Sequence, residues 1–160
     1  VHAQEPDFRL RIAGSGACMG DLRELTRSLE IDGCVEFLGD VSDTAKCLRQ
    51  SSMLVLPSRS EGLSIAILEA MGVGLPVIAT RVGGTPEAVE HGRTGILVEP
   101  ESVEELAGAI LKLWREPELA RRLGHAGRAR AESLFDVRAM VARYEAVYLE
   151  VLHGRLVNAA

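Results

Sequence analysis

Two carboxylates stand where chemistry is easiest to imagine. Glu61 and Glu69 are separated by seven residues in the stretch Pro57-Ser-Arg-Ser-Glu-Gly-Leu-Ser-Ile-Ala-Ile-Leu-Glu-Ala-Met71, and from Ile65 through Ala79 Glu69 is the only ionisable residue. On a helix it shares a stripe with Ile65, Leu68 and Gly72, so the pattern predicts a largely buried carboxylate with no solvent face. Such a group is costly unless hydrogen-bond donors reach it, and a ligand diol or an arginine would serve. Glu61 precedes this helix and Ser64 is placed to cap it. Gly62, Leu63, Ser64 and Ile65 then present free backbone amides at the positive end of the helix dipole, a pyrophosphate site that needs no lysine. The plainer alternative makes Glu61 a surface loop residue and Glu69 a salt-bridged core residue.

A second glycine-rich segment, Gly14-Ser15-Gly16 followed by Gly20, sits between a strand pattern and a helix pattern. Its G-x-G-x-x-x-G spacing is one residue longer than the dinucleotide fingerprint, and Asp40 follows at about the distance of a ribose-binding acid. A nicotinamide-dinucleotide domain of an oxidoreductase is therefore a rival reading, although it leaves Glu69 unexplained. A tight turn built from small residues accounts for the glycines equally well. A third reading, a non-catalytic interaction module, has no use for both Glu61 and Glu69.

The elements that must position these residues follow from apolar periodicity. Strands are expected at Phe8–Ala13, Val35–Leu38, Met53–Leu56, Val77–Ala79 and Gly95–Val98. Helices are expected at Asp21–Leu29, Thr44–Ser51 and Ser64–Met71, with a helical turn at Pro86–Glu90. Three longer helices, Ser102–Arg115, Glu118–Ser133 and Asp136–His153, close the chain. Strands that alternate with helices and read as continuous apolar runs predict one parallel sheet of about five strands, covered on both faces. Ligands of such sheets bind beyond the carboxyl ends of the strands, which places a cleft at Gly16, Gly39, Glu61 and Ser64–Ile65.

A length of 160 residues suits one domain. A net charge of −5 argues against nucleic acid as a partner. Cys18, Cys34 and Cys47 show no metal-ligand spacing and read as small buried hydrophobes in a reducing compartment. His2, His91, His125 and His153 are isolated, Trp114 reads as core, and Arg121, Arg122, Arg128 and Arg130 read as a solvated helix face. No metal site is visible. No apolar run reaches membrane-spanning length and no signal peptide opens the chain, so the expected location is cytoplasmic, or peripheral to a membrane in a longer protein. Val1–Pro6 looks like the tail of a helix cut from something longer.

The string PSRSEGLSIAILEAMGVGLPVIATRVGGTPEAVEHGRTGILVEP resembles the C-terminal domain of glycosyltransferase family 4, a large retaining family. Its members have two Rossmann-like domains, the GT-B architecture, and two glutamates separated by seven residues are their hallmark. The likeness extends upstream through PDFRLRIAGSG and VEFLGDVSD and covers most of residues 6 to 114. It implies an α/β, Rossmann-like donor-binding domain over residues 1–160, with a C-terminal helical extension. It also implies a UDP- or GDP-sugar as donor substrate, and no cofactor or metal. By resemblance Glu61 lies against the transferred sugar and Glu69 holds the ribose hydroxyls. Gly62, Leu63, Ser64 and Ile65 meet diphosphate and sugar, Gly39, Asp40 and Val41 sit near the nucleobase, and Gly16 lines the cleft. The family also places an Arg and a Lys just after the domain's first strand. Here the only lysines are Lys46 and Lys112, neither in that place, and the chain begins after it. The expectation is a donor domain without its N-terminal acceptor domain, either an excised fragment or a protein that has lost catalysis, inactive alone. The last helix of the family crosses back to that domain. Its apolar stripe here, Val137, Met140, Val141, Tyr144, Val147, Tyr148 and Val151, should be partly exposed or covered by another copy of the chain.

Overall fold

The strand Val77–Thr80 buries every one of its residues. A continuous apolar run is what a strand needs when both faces are covered, because successive side chains point to opposite sides. The computed structural model describes residues 1–152. Its strands are β1 (Leu10–Ala13), β2 (Val35–Gly39), β3 (Leu54–Leu56), β4 (Val77–Thr80) and β5 (Ile96–Val98). Its helices are α1 (Met19–Ser28), α2 (Thr44–Arg49), α3 (Ile65–Gly72), α4 (Thr85–Ala88), α5 (Val103–Arg115), α6 (Pro117–Leu134) and α7 (Val137–Leu152), with a short 3-10 turn at Asp32–Cys34. The expected end of the last helix at His153, and that histidine, lie outside the described residues.

On one side of β4, Val77 and Ala79 join Ile67, Ala70 and Met71 of α3, Ala88 of α4, the adjoining Val89, and Ala131 of α6. On the other side Ile78 joins Val98 of β5, Ala109 and Leu113 of α5, and Leu123 of α6. Helix α6 therefore serves both clusters, and it approaches closely because it carries glycines. A Cβ at Gly124 would lie 2.1 Å from the carbonyl oxygen of Gly74, and one at Gly127 would lie 3.2 Å from that of Thr94.

Every strand pair is parallel, as expected, but the strands form two sheets instead of one: β1 with β2, and β3 with β4 and β5. No ladder joins β1 to β3. Between them lies a cavity of about 550 Å³ whose lining includes Leu10 and Arg11 of β1, Val35 of β2 and Met53 and Val55 at β3. Side chains bridge the interval. Arg11 donates to Cys47 O at 3.1 Å and Ser51 Oγ at 2.9 Å, and Phe8 meets Trp114 edge to face at 5.3 Å. Trp114 is accordingly half-buried rather than core. Of the three free thiols only Cys34 is buried; Cys47 is half-buried and Cys18 exposed, which corrects the expectation of three buried hydrophobes.

Helix α7 contributes no buried residue, and the whole stripe from Val137 to Val151 is exposed. Among the described residues no helix is long and apolar enough to cross a membrane.

Two interior helical glycines give opposite expectations. Gly124→Ala must push against backbone and should destabilise the fold by about 1–3 kcal/mol. Gly108→Ala, in α5 with open space around it, should be neutral or stabilise by up to ~1 kcal/mol through helix propensity. Urea denaturation of the two variants beside wild type measures both.

Candidate functional site at the carboxyl ends of the strands

The loops that leave β1, β2 and β3, with the helix α3 that follows the third, carry the residues singled out above. The first two are tied to each other. Gly14, at φ +120°, donates its N–H to Gly39 O at 2.7 Å, and Gly39 turns at φ +63°. Both dihedrals lie in the region that favours glycine. Ser15 Oγ adds a bond to Asp40 Oδ1 at 2.7 Å. Gly16 is different: it is exposed, its φ is ordinary, and nothing would meet a Cβ there. Val41 is half-buried beside this double turn.

The turn leads into α2, capped by the Asp43 side chain, which accepts from the Lys46 N–H at 2.8 Å. Thr44, the first residue of α2, donates its hydroxyl to Glu69 Oε1 at 3.1 Å. This bond joins the group around Gly39, Asp40 and Val41 to the group on α3.

After β3 the chain runs through Pro57–Ser64. Thr80 Oγ1 donates to Ser58 O at 2.5 Å, and Ser58 Oγ donates to Glu61 Oε2 at 3.2 Å. Glu61 is half-buried. The loop that leaves β4 presses against the same segment: a Cβ on Gly83 would fall 1.7 Å from Glu61 O, and one on Gly84 would fall 2.8 Å from Gly62 O. Sequence reasoning used these glycines only as part of a resembling string. The sequence does carry a signal for them, since two consecutive glycines in the turn that follows a strand permit a close backbone approach there.

Helix α3 opens at Ser64, which is 8% exposed and sits at the N-cap with extended dihedrals. Its hydroxyl makes no capping bond, contrary to expectation. The amides of the first turn thus have no side-chain cap, and they remain donors at the positive end of the dipole.

The expectation that Glu69 is buried is wrong: it is exposed. The core face of α3 is Ile67, Ala70 and Met71, and the stripe of Ile65, Glu69 and Gly72 lies on the open side. Ile65 is 72% exposed and Leu63 44%. The scarcity of charge in this segment, which suggested the absence of a solvent face, reflects an apolar surface presented to the outside.

Two arginines at this end of the strands are already paired. Arg59 meets Glu101 at 2.9 Å and Arg81 meets Glu99 at 3.3 Å, all four being exposed. Uncapped amides, two carboxylates and an apolar shelf remain available. The cavity between β1 and β3 opens at the other ends of the strands and shares no residue with this group. Its concavity comes from the interval between the sheets, and its lining includes neither Glu61, Glu69 nor the start of α3.

The fold has relatives among known proteins. N-acetyl-alpha-D-glucosaminyl L-malate synthase of Bacillus anthracis is 35% identical over 92% of the chain, which spans 39% of that protein. The solved structure of sucrose-phosphate synthase from Thermosynechococcus elongatus superposes with a TM-score of 0.88 at 30% identity, over 95% of this chain and 40% of that one. HepE of Anabaena, solved with UDP and with UDP-glucose, superposes with TM-scores of 0.86 and 0.87 at 26% identity, over 91% of this chain and 42% of that one. The chain thus spans about two fifths of the length of these proteins. Residues 1–116 match the family model of the Glycosyl transferases group 1, and the chain belongs to that family.

Proposed function

We propose that this chain is the donor-binding part of a retaining, family-4-type glycosyltransferase, which takes a sugar from a UDP- or GDP-sugar. The observation that carries the reading is the start of α3: uncapped amides at Ser64 and beyond, with Glu61 on one side and Glu69 on the other. The amides from Gly62 to Ile65 take the diphosphate. They meet the charge of the departing group with fixed dipoles, without a metal. Glu69 accepts the two ribose hydroxyls with the oxygen capacity that Thr44 leaves free. Glu61, steadied by Ser58 and the carbonyl contact at Gly83, faces the sugar. The double turn at Gly14–Gly16 and Gly39–Val41 closes the nucleobase end. The complexes of HepE with UDP and UDP-glucose support the same class of ligand, and the family match leaves the dinucleotide reading without support.

Exposure of Glu69 moderates what its loss should cost. A hydrogen bond to a charged group is worth about 1.5–3 kcal/mol, and competition with water at a solvated carboxylate holds the two ribose bonds together to about the low end. Glu69→Ala should therefore weaken UDP or GDP binding about tenfold. Glu61→Ala should leave the nucleotide diphosphate unchanged and weaken the nucleotide sugar. Isothermal titration of both variants with both ligand types checks the assignment; equal losses throughout would overturn it.

Transfer also needs an acceptor held in near-attack contact with the anomeric carbon, and the proposed site supplies the donor's half of that arrangement. The purified 160-residue chain is expected to bind donor and to transfer no sugar. Incubation with labelled nucleotide sugar and a range of acceptors tests this, and glycosylated product would refute it.

A further inference from the structure

Arg130 does not belong to the solvated face on which its neighbours lie. Arg121 pairs with Glu118 and Arg128 with Glu132 along the exposed surface of α6. The side chain of Arg130 is only 22% exposed. Its guanidinium reaches three acceptors: Nε donates to Ala88 O at 2.9 Å, Nη2 to Glu87 O at 2.8 Å, and Nη1 to the Glu90 carboxylate.

These acceptors have a structural need. Helix α4 is four residues long, so its terminal carbonyls have no intrahelical partners. Arg130 takes two of them, and its planar fork suits divergent acceptors. Glu90 is held in turn, with its N–H on Thr94 Oγ1 at 2.8 Å and its carboxylate also on Arg93 at 2.8 Å. Thr94 is buried, and Gly127, one turn before Arg130, lies against its carbonyl. The carboxyl end of α4 is thereby bolted to α6. The amino end of α4 is Gly84, and Gly83 and Gly84 are the residues seated on the carbonyls of Glu61 and Gly62. At 1.5 Å per residue, the helix between the two ends is only about 6 Å long. A tilt at one end must reach the other.

We propose that Arg130 is a positioning residue for the Glu61 loop, acting through α4 and the Gly83–Gly84 contact. The inference rests on the reading of Glu61 as the sugar-facing carboxylate, while the mechanical coupling stands on the contacts alone. Loss of Arg130 frees the carboxyl end of α4, loosens Gly83–Gly84, and lets the segment of residues 59–63 wander. Recognition of the sugar suffers most; the diphosphate keeps the amides of Ser64 and Ile65 at the start of α3, and the ribose contact at Glu69 is unaffected.

The test compares wild type, Arg130→Ala and Arg130→Lys by amide hydrogen exchange and by titration with UDP and UDP-glucose. In Arg130→Ala, exchange should accelerate in residues 83–90 and also in 59–63. UDP-glucose affinity should fall about fivefold, with UDP affinity kept within about twofold. Arg130→Lys, which keeps the charge and loses the fork, should fall between. A merely structural arginine would lower both affinities alike, or would accelerate exchange at 83–90 and leave 59–63 unchanged; either result overturns the proposal. If wild type binds neither UDP and UDP-glucose nor GDP and GDP-mannose, the donor reading fails and the exchange at 59–63 decides the coupling by itself; if it binds only the GDP pair, that pair replaces the UDP pair in the comparison. Should Arg130→Ala fail to fold, Arg130→Lys and Glu90→Gln replace it: accelerated exchange at 59–63 with selective loss of UDP-glucose supports the coupling, and unchanged exchange there overturns it.

Discussion

No side chain fits where Gly83 meets the carbonyl of Glu61. At 1.7 Å from that oxygen a methyl group would force the backbones apart, and the φ of +49° adds a second reason for glycine. The contact matters because the loop from Pro57 to Ser64 has little else to define its shape. Thr80 and Ser58 hold its first half through one carbonyl and one carboxylate, and the pair Gly83–Gly84 holds the second. Strand β4 supplies both Thr80 and the start of the glycine turn, so burial of β4 on both faces aligns the loop beyond β3. The approach to α3 through Glu61, Gly62 and Leu63 inherits that alignment.

The electrostatics of the site follow from what is left unpaired. Two carboxylates flank a helix start in a chain of net charge −5, which is a poor setting for an anion if charges alone decide. The amides of a helix start change the balance locally, since each is an oriented donor with partial positive charge and no side chain competes for it in α3. Arg59 and Arg81 are engaged by Glu101 and Glu99. Under the proposed function the diphosphate is held by dipoles, and the carboxylates serve hydroxyl groups on either side. A glutamate is well suited to that task, because when ionised it only accepts hydrogen bonds and hydroxyls can donate them.

Much of this architecture is legible in apolar periodicity. The strands at Val35, Val77 and Gly95 and the helices at Thr44, Ser64 and Ser102 fall within a residue or two of their expected bounds, because a buried parallel strand writes a continuous apolar run. Three features are not legible, each because it depends on geometry between distant segments. The interval between β1 and β3 cannot be read from either strand, both of which look like members of one sheet. The exposure of Glu69 escapes the pattern because an apolar helix can turn its apolar surface outward, and periodicity marks a stripe without saying what faces it. Arg130 sits among arginines that do lie on a solvated surface. Only the shortness of α4, with carbonyls left over, gives a reason within the sequence for a fork-shaped donor nearby.

The exposure of Glu69 changes the physical account of the site. A buried carboxylate would bind hydroxyls to relieve its own desolvation. An exposed one must be desolvated by the ligand that covers it, and its bonds compete with water. What favours covering it is the surface around it. Ile65 and Leu63 expose apolar area between Glu69 and Glu61, and a ligand spanning the two carboxylates would remove that area from water at about 25 cal/mol per Å². In the proposed complex, the sugar and ribose rings lie over this shelf, and the diphosphate between them sits on the amides of Ser64 and Ile65. Water leaves the apolar shelf and the helix start together, and the amide–phosphate bonds strengthen as the local dielectric falls. The apolar character of α3, which in sequence looks like that of a core helix, then serves the binding surface on one side and the core cluster on the other.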